Sequence, residues 1–219
     1  MAERLEIGAG EALERVLLNE HALDLHIVQQ AGSRLRLVLI NYDAANADNC
    51  IRVEHRQEGC ETEIYGMVIA GGETNVSNRT FLLHDKGKGR SEQLFKYVLG
   101  GKARGYFEGC LKIAPDAQQT SATQTDRNLI LSDGAKMRTL PQLEIYADDV
   151  KASHGATTGQ LDEHALFYMR QRGLSAAQAR WLLVNAFIED IINEVHDTVL
   201  QNRLRKEVEI RLQQLTENV

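Results

Sequence analysis

Apolar and polar side chains alternate along a succession of short segments between residues 23 and 155. In segment 34–40, for example, Leu35, Leu37 and Leu39 alternate with polar residues. A period of two predicts β-strands that bury one face. The predicted strands are 23–28, 34–40, 50–55, 63–70, 79–85, 93–99, 105–114, 121–131, 142–147 and 150–154.

The segments that join these strands have the composition of turns. AGGETN, HDKGKG and LGGK are typical examples, rich in glycine and polar residues. Many short strands with polar outer faces and corners of this length fit two architectures, an antiparallel sandwich or a stacked β-solenoid. The periodicity alone does not choose between them.

The pattern changes at residue 161, where apolar residues begin to recur at helical spacing. Residues 161–173 carry acidic side chains in the first turn and end at Gly173, as a helix would. Ser175 is the predicted N-cap of a second helix, whose apolar residues recur at three- and four-residue intervals over 175–192.

A third predicted helix covers residues 193–219 and carries one apolar stripe. An amphipathic helix of this kind is stabilised by packing that stripe against another surface. We therefore predict two domains, a β-rich body over residues 1–160 and a C-terminal helical domain over 161–219. The stripe consists of Val195, Val199, Leu204, Val208, Leu212 and Leu215.

Composition excludes several protein classes. The 219 residues are 43% hydrophobic and 26% charged, values of a globular protein rather than a disordered one. The net charge of −6 argues against a nucleic-acid binder. No apolar run approaches the roughly 18 residues that span a bilayer, and the first residues lack the pattern of a secretory signal. A cytoplasmic protein with neither membrane nor nucleic acid as partner is expected.

Three cysteines, Cys50, Cys60 and Cys110, are odd in number and widely spaced. No CxxC pair occurs, so neither a zinc ribbon nor an iron–sulfur cluster bound within one chain is indicated. A reducing compartment is the simpler expectation. We expect all three side chains to act as small buried hydrophobic groups and assign them no function.

Carboxylates and glycine-rich loops offer little for catalysis. Asp126, Asp148 and Asp149 could serve as an acid–base pair, but adjacent strand residues point to opposite faces. We therefore predict turn and capping roles for them. Ser132 with His154 lacks the GxSxG context of a nucleophile, and the glycine-rich loops lack the phosphate-binding GxxxxGK[ST] motif. An enzyme is not expected.

His154 lies in ADDVKASHGATTG, where the strand pattern ends and the helices begin. A histidine at the end of a sheet can contact a partner, bind a metal or fill a structural role, and the pattern leaves all three open. The other six histidines show no HxH or HExxH spacing. A metal site formed within one short segment is therefore not predicted.

Three longer strings carry a resemblance. RNLILSD, LEIYADDVKASHGATTGQLDE and LFYMRQRG, within residues 101–187, resemble the C-terminal core of the SufB/SufD family. Members of this family are scaffold subunits of the iron–sulfur cluster assembly complex. The SHGAT string is more similar to SufD, because SufB-type chains carry a glutamate where this chain has Gly155.

The resemblance implies a fold and a site. The family fold is mainly β, a right-handed parallel β-helix followed by a C-terminal helical region, which favours the solenoid. The SufB-type cysteine falls near Ala135, and a cysteine frequent in SufD chains is replaced by Ala152. His154 matches the SufD histidine and is the remaining candidate ligand for iron or a transient cluster, with no cofactor held stably by the chain alone.

The resemblance also implies partners. A SufB-type paralogue, or a second copy of the chain, would pair with the open end of the solenoid. A SufC-type ABC ATPase would dock on the C-terminal helices, where the candidate contacts are Leu174, Ala179, Leu182, Leu183 and Ala186. The helical region that usually precedes the β-helix is missing, so we expect a short variant or a fragment.

The leading expectation is thus a non-catalytic SufD-like scaffold subunit. A β-helical carbohydrate-active enzyme is the first alternative, although aromatic residues are only 5% of the chain. The second is a self-associating β-helix module without cluster chemistry.

Overall fold

The computed structural model describes residues 2–43 and 45–217, which contain twelve strands and three helices. The first six strands are β1 (Glu3–Ile7), β2 (Ala12–Leu18), β3 (Asp24–Gln29), β4 (Arg34–Asn41), β5 (Ala47–His55) and β6 (Glu61–Ala70). The other six are β7 (Asn75–His84), β8 (Arg90–Leu99), β9 (Arg104–Ile113), β10 (Thr120–Ile130), β11 (Lys136–Ile145) and β12 (Val150–Gly159). The helices are α1 (Glu163–Gln171), α2 (Ala176–Asn193) and α3 (Thr198–Glu217).

Consecutive strands alternate between two parallel sheets. The odd-numbered strands form one six-stranded sheet in the order β1-β3-β5-β7-β9-β11, and the even-numbered strands form the other. The chain therefore coils, laying one strand in each sheet per turn. This arrangement confirms the predicted mainly-β solenoid and excludes the antiparallel sandwich, whose neighbouring strands would run in opposite directions.

Glycines shape the corners between the sheets, as the turn composition predicted. Gly101 has a φ of 63°, in the left-handed region that glycine adopts without steric cost. A Cβ at this position would lie 2.9 Å from the backbone nitrogen of Gly72, in the equivalent corner of the preceding coil. Stacked corners thus approach too closely for a side chain.

The space between the sheets holds the main hydrophobic core. Phe95 of one sheet and Phe107 of the other are fully buried, with ring centroids 4.6 Å apart. Gly66 lies beside Phe95 on the neighbouring strand, and a Cβ there would lie 2.1 Å from the phenyl ring. The absence of a side chain at Gly66 makes room for the aromatic pair.

A polar ladder crosses the same interior near the C-terminal ends of the odd-numbered strands. His55 and His84 stack in register with their rings edge to face, 4.4 Å apart. His55 Nε2 lies 2.7 Å from the Thr62 hydroxyl, which itself donates to Gln29 Oε1, so the histidine nitrogen carries the proton. Burial lowers the pKa of His84 to about 4. Burial, together with the neighbouring His84, also holds the pKa of His55 well below its usual value.

Helices α2 and α3 pack on the outer face of the even-numbered sheet. A second hydrophobic cluster joins the outward side chains of β4, β6, β8 and β10 to the inner faces of these helices. The C-terminal halves of β4, β6 and β8 are consequently buried on both faces, which explains continuous apolar runs such as LVLI. Main contributors are Val38, Ile40, Met67, Val98, Val184, Ile188, Ile191, Leu204, Val208 and Leu212.

A buried ion pair fixes α2 to the sheet. Lys96 of β8 is 4% exposed, and its ammonium group donates to Asp190 Oδ2 and to the Phe187 carbonyl oxygen, both at 2.6 Å. A second ion pair joins Arg36 to Glu194 at 2.7 Å, after the end of α2. The helical region is thus bound to the solenoid by charge pairs as well as by apolar packing.

The element boundaries differ from the predictions at both ends of the chain. Strands β1 and β2 precede the first predicted strand. Adjacent charged residues, Glu3-Arg4 and Glu14-Arg15, interrupt the period of two in both, so the sequence pattern does not predict them. The Ser175 N-cap is confirmed, with a reciprocal bond between Ser175 and Gln178. The third helix begins at Thr198 rather than residue 193. Among the described residues no helix is long and apolar enough to cross a membrane.

Candidate functional site

The last coil leaves an open end on the solenoid. Strand β12 pairs with β10 and β11 pairs with β9, and each is the terminal strand of its sheet. The outer backbone edge of each strand is therefore available to a further strand. In the earlier coils the inward side chains lie between the two sheets. In the last coil the inward side chains of β11 and β12 line the open end of this interior.

His154 lies in the middle of β12, in register with Gln124 of β10. Side chains of a strand alternate between faces, and neighbouring strands in register share them. Gln124 is buried between the sheets, so His154 faces the same way and is exposed at the open end. The predicted ligand therefore lies at the mouth of the solenoid, where a partner could reach it.

The two alanines at family cysteine positions contribute no ligand. Ala135, in the corner before β11, is 7% exposed and belongs to the main core. Ala152 lies two residues before His154, on the same face, and packs against that core. His154 keeps its place as the remaining candidate among these three positions.

A buried carboxyl group lies one coil below the mouth. Asp126 of β10 is 0% exposed and is in register with Ala156 of β12. Burial raises the pKa of Asp126 to about 6, against smaller opposing contributions from the nearby Asn128 and Thr139 side chains. The predicted turn or capping role is wrong for this residue, because Asp126 lies within a strand and faces the interior.

Asn128 joins this carboxyl group to the terminal strand. Its side-chain nitrogen donates to Asp126 Oδ2 at 2.7 Å and to the Thr157 carbonyl oxygen at 3.1 Å. A carbonyl oxygen only accepts, so the orientation of the amide is fixed and Asn128 Oδ1 points elsewhere. The interior polar group is thereby tied to β12, the strand that carries His154.

Gln124 lies two residues before Asp126 on the inner face of β10, and its side-chain amide is also fixed by a backbone carbonyl oxygen. Its side-chain nitrogen donates to the Gly109 carbonyl oxygen at 3.1 Å. A Cβ on Gly109 would lie 2.3 Å from that nitrogen, so the side chain fits because residue 109 is glycine. The floor below His154 is therefore polar and closely packed.

The histidine is not part of a ready-made metal centre. Across residues 2–43 and 45–217, no group of three or more histidine, cysteine, aspartate or glutamate side chains could hold a metal ion.

The remaining sequence candidates are dispersed. Asp148 and Asp149 lie exposed in the bend before β12, as the turn prediction required. Cys60 is fully buried, and burial raises the pKa of its thiol. Cys50 and Cys110 are only half-buried, because each occupies an outward position on an odd-numbered strand.

The five predicted helix contacts differ in exposure. Ala179 is 0% exposed, so its methyl group packs inside the chain rather than toward a partner. Leu182 and Ala186 are exposed on α2, and Leu174 and Leu183 are half-buried. The predicted set therefore contains two exposed side chains, and Leu182 is 36% exposed.

Two exposed aromatic residues of the helical region were not among the predicted contacts. Phe167 and Tyr168 of α1 are 63% and 59% exposed. The buried side chain of this helix is Leu166. A helix of nine residues touching its neighbour along one side leaves the aromatic pair in solvent.

The sequence of the chain is similar to a family of known proteins. Residues 19–187 match the family model described as SUF system FeS cluster assembly, SufBD core domain. The chain belongs to the SufBD family of iron–sulfur cluster assembly proteins. An iron–sulfur cluster assembly SufBD family protein of Synechocystis is 36% identical over 192 residues, and the SufD protein of Escherichia coli is 39% identical over 134. A Mycobacterium leprae SufBD family protein is 30% identical over 204 residues.

These SufBD relatives are longer than the chain. The matched regions cover 87%, 61% and 90% of this chain but 42%, 32% and 49% of the Synechocystis, E. coli and M. leprae proteins. The match from residue 19 to residue 187 includes the open end, His154 and most of α2. The region shared with the family therefore contains the candidate site.

Proposed function

We propose that the chain is a SufD-like scaffold subunit that pairs through the open end of its solenoid with a SufB-type paralogue. The observation that carries this proposal is the edge of β12. From Ala152 to Gly159 this strand has neither charged residues nor proline, the features by which proteins protect an exposed edge. Such an edge accepts a further strand readily.

The other terminal strands differ. Strands β1 and β2, at the opposite end, carry charged side chains, namely Glu3, Arg4 and Glu6 on β1 and Glu14 and Arg15 on β2. Strand β11 carries Lys136, Arg138, Pro141 and Glu144. The contrast supports β12 as the centre of the pairing surface, with His154 placed beside the joint.

At that joint His154 would offer one imidazole ligand to iron or to a nascent cluster, while the partner chain supplies the others. The cluster is cargo of the complex, formed and passed on rather than retained. A second copy of this chain could occupy the same edge, which would give a homodimer with one histidine from each protomer.

We also propose that the helical region receives a SufC-type ATPase. Exposed Phe167, Tyr168 and Leu182 provide apolar contact area. The ion pairs of Lys96 and Arg36 would transmit a displacement of α2 to the even-numbered sheet. ATP-driven movement of the ATPase subunits could thereby open the pairing surface.

The proposal is tested by co-purifying the chain with its SufB-type paralogue and its ATPase and measuring anaerobic cluster formation. His154→Ala should leave the complex intact and lower cluster formation at least about tenfold, because one ligand is lost. His164→Ala, an exposed histidine in α1, is the matched control. Failure to form the complex would refute the scaffold role, and unchanged cluster formation in His154→Ala would refute the ligand role.

A further inference from the structure

A cavity of about 490 Å³ lies where the end of α3 meets the corners of the even-numbered sheet, far from the open end of the solenoid. Its volume is in the range of small-molecule sites in proteins. We call this space the corner cavity. It is lined by Gly71, Gly72 and Gly101, in the corners that follow β6 and β8, and by Arg211, Gln214 and Leu215 of α3.

Arg211 brings an unpartnered guanidinium group to the corner cavity. The residue is half-buried, and its Nε is inaccessible to solvent and has no hydrogen-bond partner. Its Nη2 lies 3.7 Å from the position that a Cβ on Gly71 would take, so the group lies directly over this corner. Within residues 2–43 and 45–217 no acidic side chain forms an ion pair with it. The guanidinium group therefore retains donors that face the cavity.

Two groups that would be natural acceptors for this guanidinium are engaged elsewhere. Glu207 precedes it by four residues on α3, but its carboxylate accepts from Arg203 Nε at 2.7 Å and from the Tyr42 hydroxyl group. The Gly71 carbonyl oxygen accepts from the amide of Thr74 at 3.3 Å and from its hydroxyl group at 2.7 Å. A carbonyl oxygen has two lone pairs, so both are used. Since a buried N–H without an acceptor is costly, an acceptor inside the cavity would be stabilising.

The charges around the corner cavity favour an anion. Its lining contains one cationic side chain and no carboxylate. Glu73, in the same corner as Gly71, is paired with Lys102 of the next corner, with 3.1 Å between Nζ and Oε1. A guanidinium group presents its N–H groups as a planar fork that matches two oxygens of a phosphate group. Glycine has no side chain, so such a group can approach the corner backbone closely.

We propose that the corner cavity binds a phosphate group, either as inorganic phosphate or as part of a small phosphomonoester. Arg211 is the cationic ligand, and its Nε and Nη2 donate to two of the phosphate oxygens. Gln214, on the next turn of α3, lies beside the bound group. The anion would join the end of α3 to the corners of the even-numbered sheet. This site is independent of the pairing surface at β12 and of the scaffold function proposed above.

The test uses the full chain and isothermal titration calorimetry at low ionic strength, with inorganic phosphate, glycerol 3-phosphate and acetate as the probes. The wild type should bind one phosphate group per chain, and the tighter of the two phosphate probes identifies the source of the group. Acetate, which carries less charge, should bind at least about tenfold more weakly. Arg211→Gln should weaken phosphate binding more than about tenfold, because it removes the cationic fork. Lys206→Gln is the matched control, since it removes an exposed positive charge of α3 that does not line the cavity, and it should bind as the wild type does.

Gln214→Glu is the second variant, in case Arg211→Gln does not fold. It places a carboxylate three residues after Arg211, at the spacing of a helix ion pair, and this carboxylate both occupies the guanidinium group and repels the anion. Phosphate binding should therefore weaken more than about tenfold, although every other lining residue is unchanged. Absence of phosphate binding by the wild type, wild-type affinity in the folded cavity variants, or acetate binding as tight as that of phosphate would overturn the proposal.

Discussion

The ionisation of Asp126 governs one part of the pH dependence of stability. The folded-state pKa is raised to about 6 from 3.8, so the folded protein holds this proton more tightly than the unfolded chain. The associated stability is fully present below pH 3.8 and is lost as the pH rises through 6. Above that range the ionised carboxylate costs about 3 kcal/mol, at 1.36 kcal/mol per pKa unit.

Asp126→Asn should therefore stabilise the protein at pH 7.5 by about 3 kcal/mol and have little effect near pH 4. The free energy of unfolding is measured with urea at both pH values, as the difference between variant and wild type. Buried His84 has the opposite pH dependence, because its contribution to stability is lost as the pH falls toward 4. That contribution is the same in the variant and the wild type, so it cancels in the difference between them. An equal effect at both pH values would contradict the assignment.

Close packing at Gly66 gives a second residue-scale prediction. A methyl group there would overlap the Phe95 ring, so Gly66→Ala should destabilise the fold by about 1–3 kcal/mol. Gly159→Ala is the control, since a Cβ at that position meets no atom within 4 Å. Thermal unfolding of the two variants measures the difference, and equal melting temperatures would contradict the packing argument.

The sequence indicates some of these residue roles and conceals others. His154 was found through the SHGAT string, and its exposure follows from its place in a terminal strand. Asp126 was misassigned because β10 carries polar residues on both faces, in TSATQTDRN. The sequence pattern therefore does not show which of its residues point into the core. Its inward direction follows only from the register with neighbouring strands.

At the scale of elements, the positions of the strands along the chain could be predicted better than which strands pair with each other. The ten predicted strands correspond to β3–β12, because period two is a property of each strand alone. Parallel pairing between alternate strands depends on contacts about 30 residues apart and leaves no local signal. Segment 34–40 was predicted to bury one face, whereas the LVLI run in β4 is buried on both faces because helices cover this sheet.

The Lys96–Asp190 pair, which binds α2 to the sheet, should respond differently to the substitution of each member. Lys96 is buried, whereas the Asp190 side chain is 51% exposed. Asp190→Asn leaves a buried ammonium group with neutral acceptors only, while Lys96→Met removes the buried charge and leaves an aspartate that water can solvate. We expect Asp190→Asn to lower the unfolding free energy by about 2 kcal/mol more than Lys96→Met. Urea unfolding of both variants checks this order, which a reversal would contradict.

The whole molecule is a solenoid whose two ends differ. Charged strands protect the N-terminal coil, and the stretch of β12 from Ala152 to Gly159, which has no acidic, lysine or arginine side chain, leaves the other end open. Helices cover the even-numbered sheet and leave that end free. These features together place the candidate ligand, the buried Asp126 and the proposed pairing edge within the last two coils.

The central claim is that the β12 edge pairs with another chain, and multi-angle light scattering tests it most directly. Mixed with its SufB-type paralogue, the wild type should elute as a heterodimer. Ser153→Lys with Thr157→Lys, which adds charge to the edge, should elute as separate chains. Thr123→Lys, in register with Ser153 on the inner neighbour β10, should still pair. Wild-type pairing by the edge variant, or no pairing by the wild type, would contradict the account.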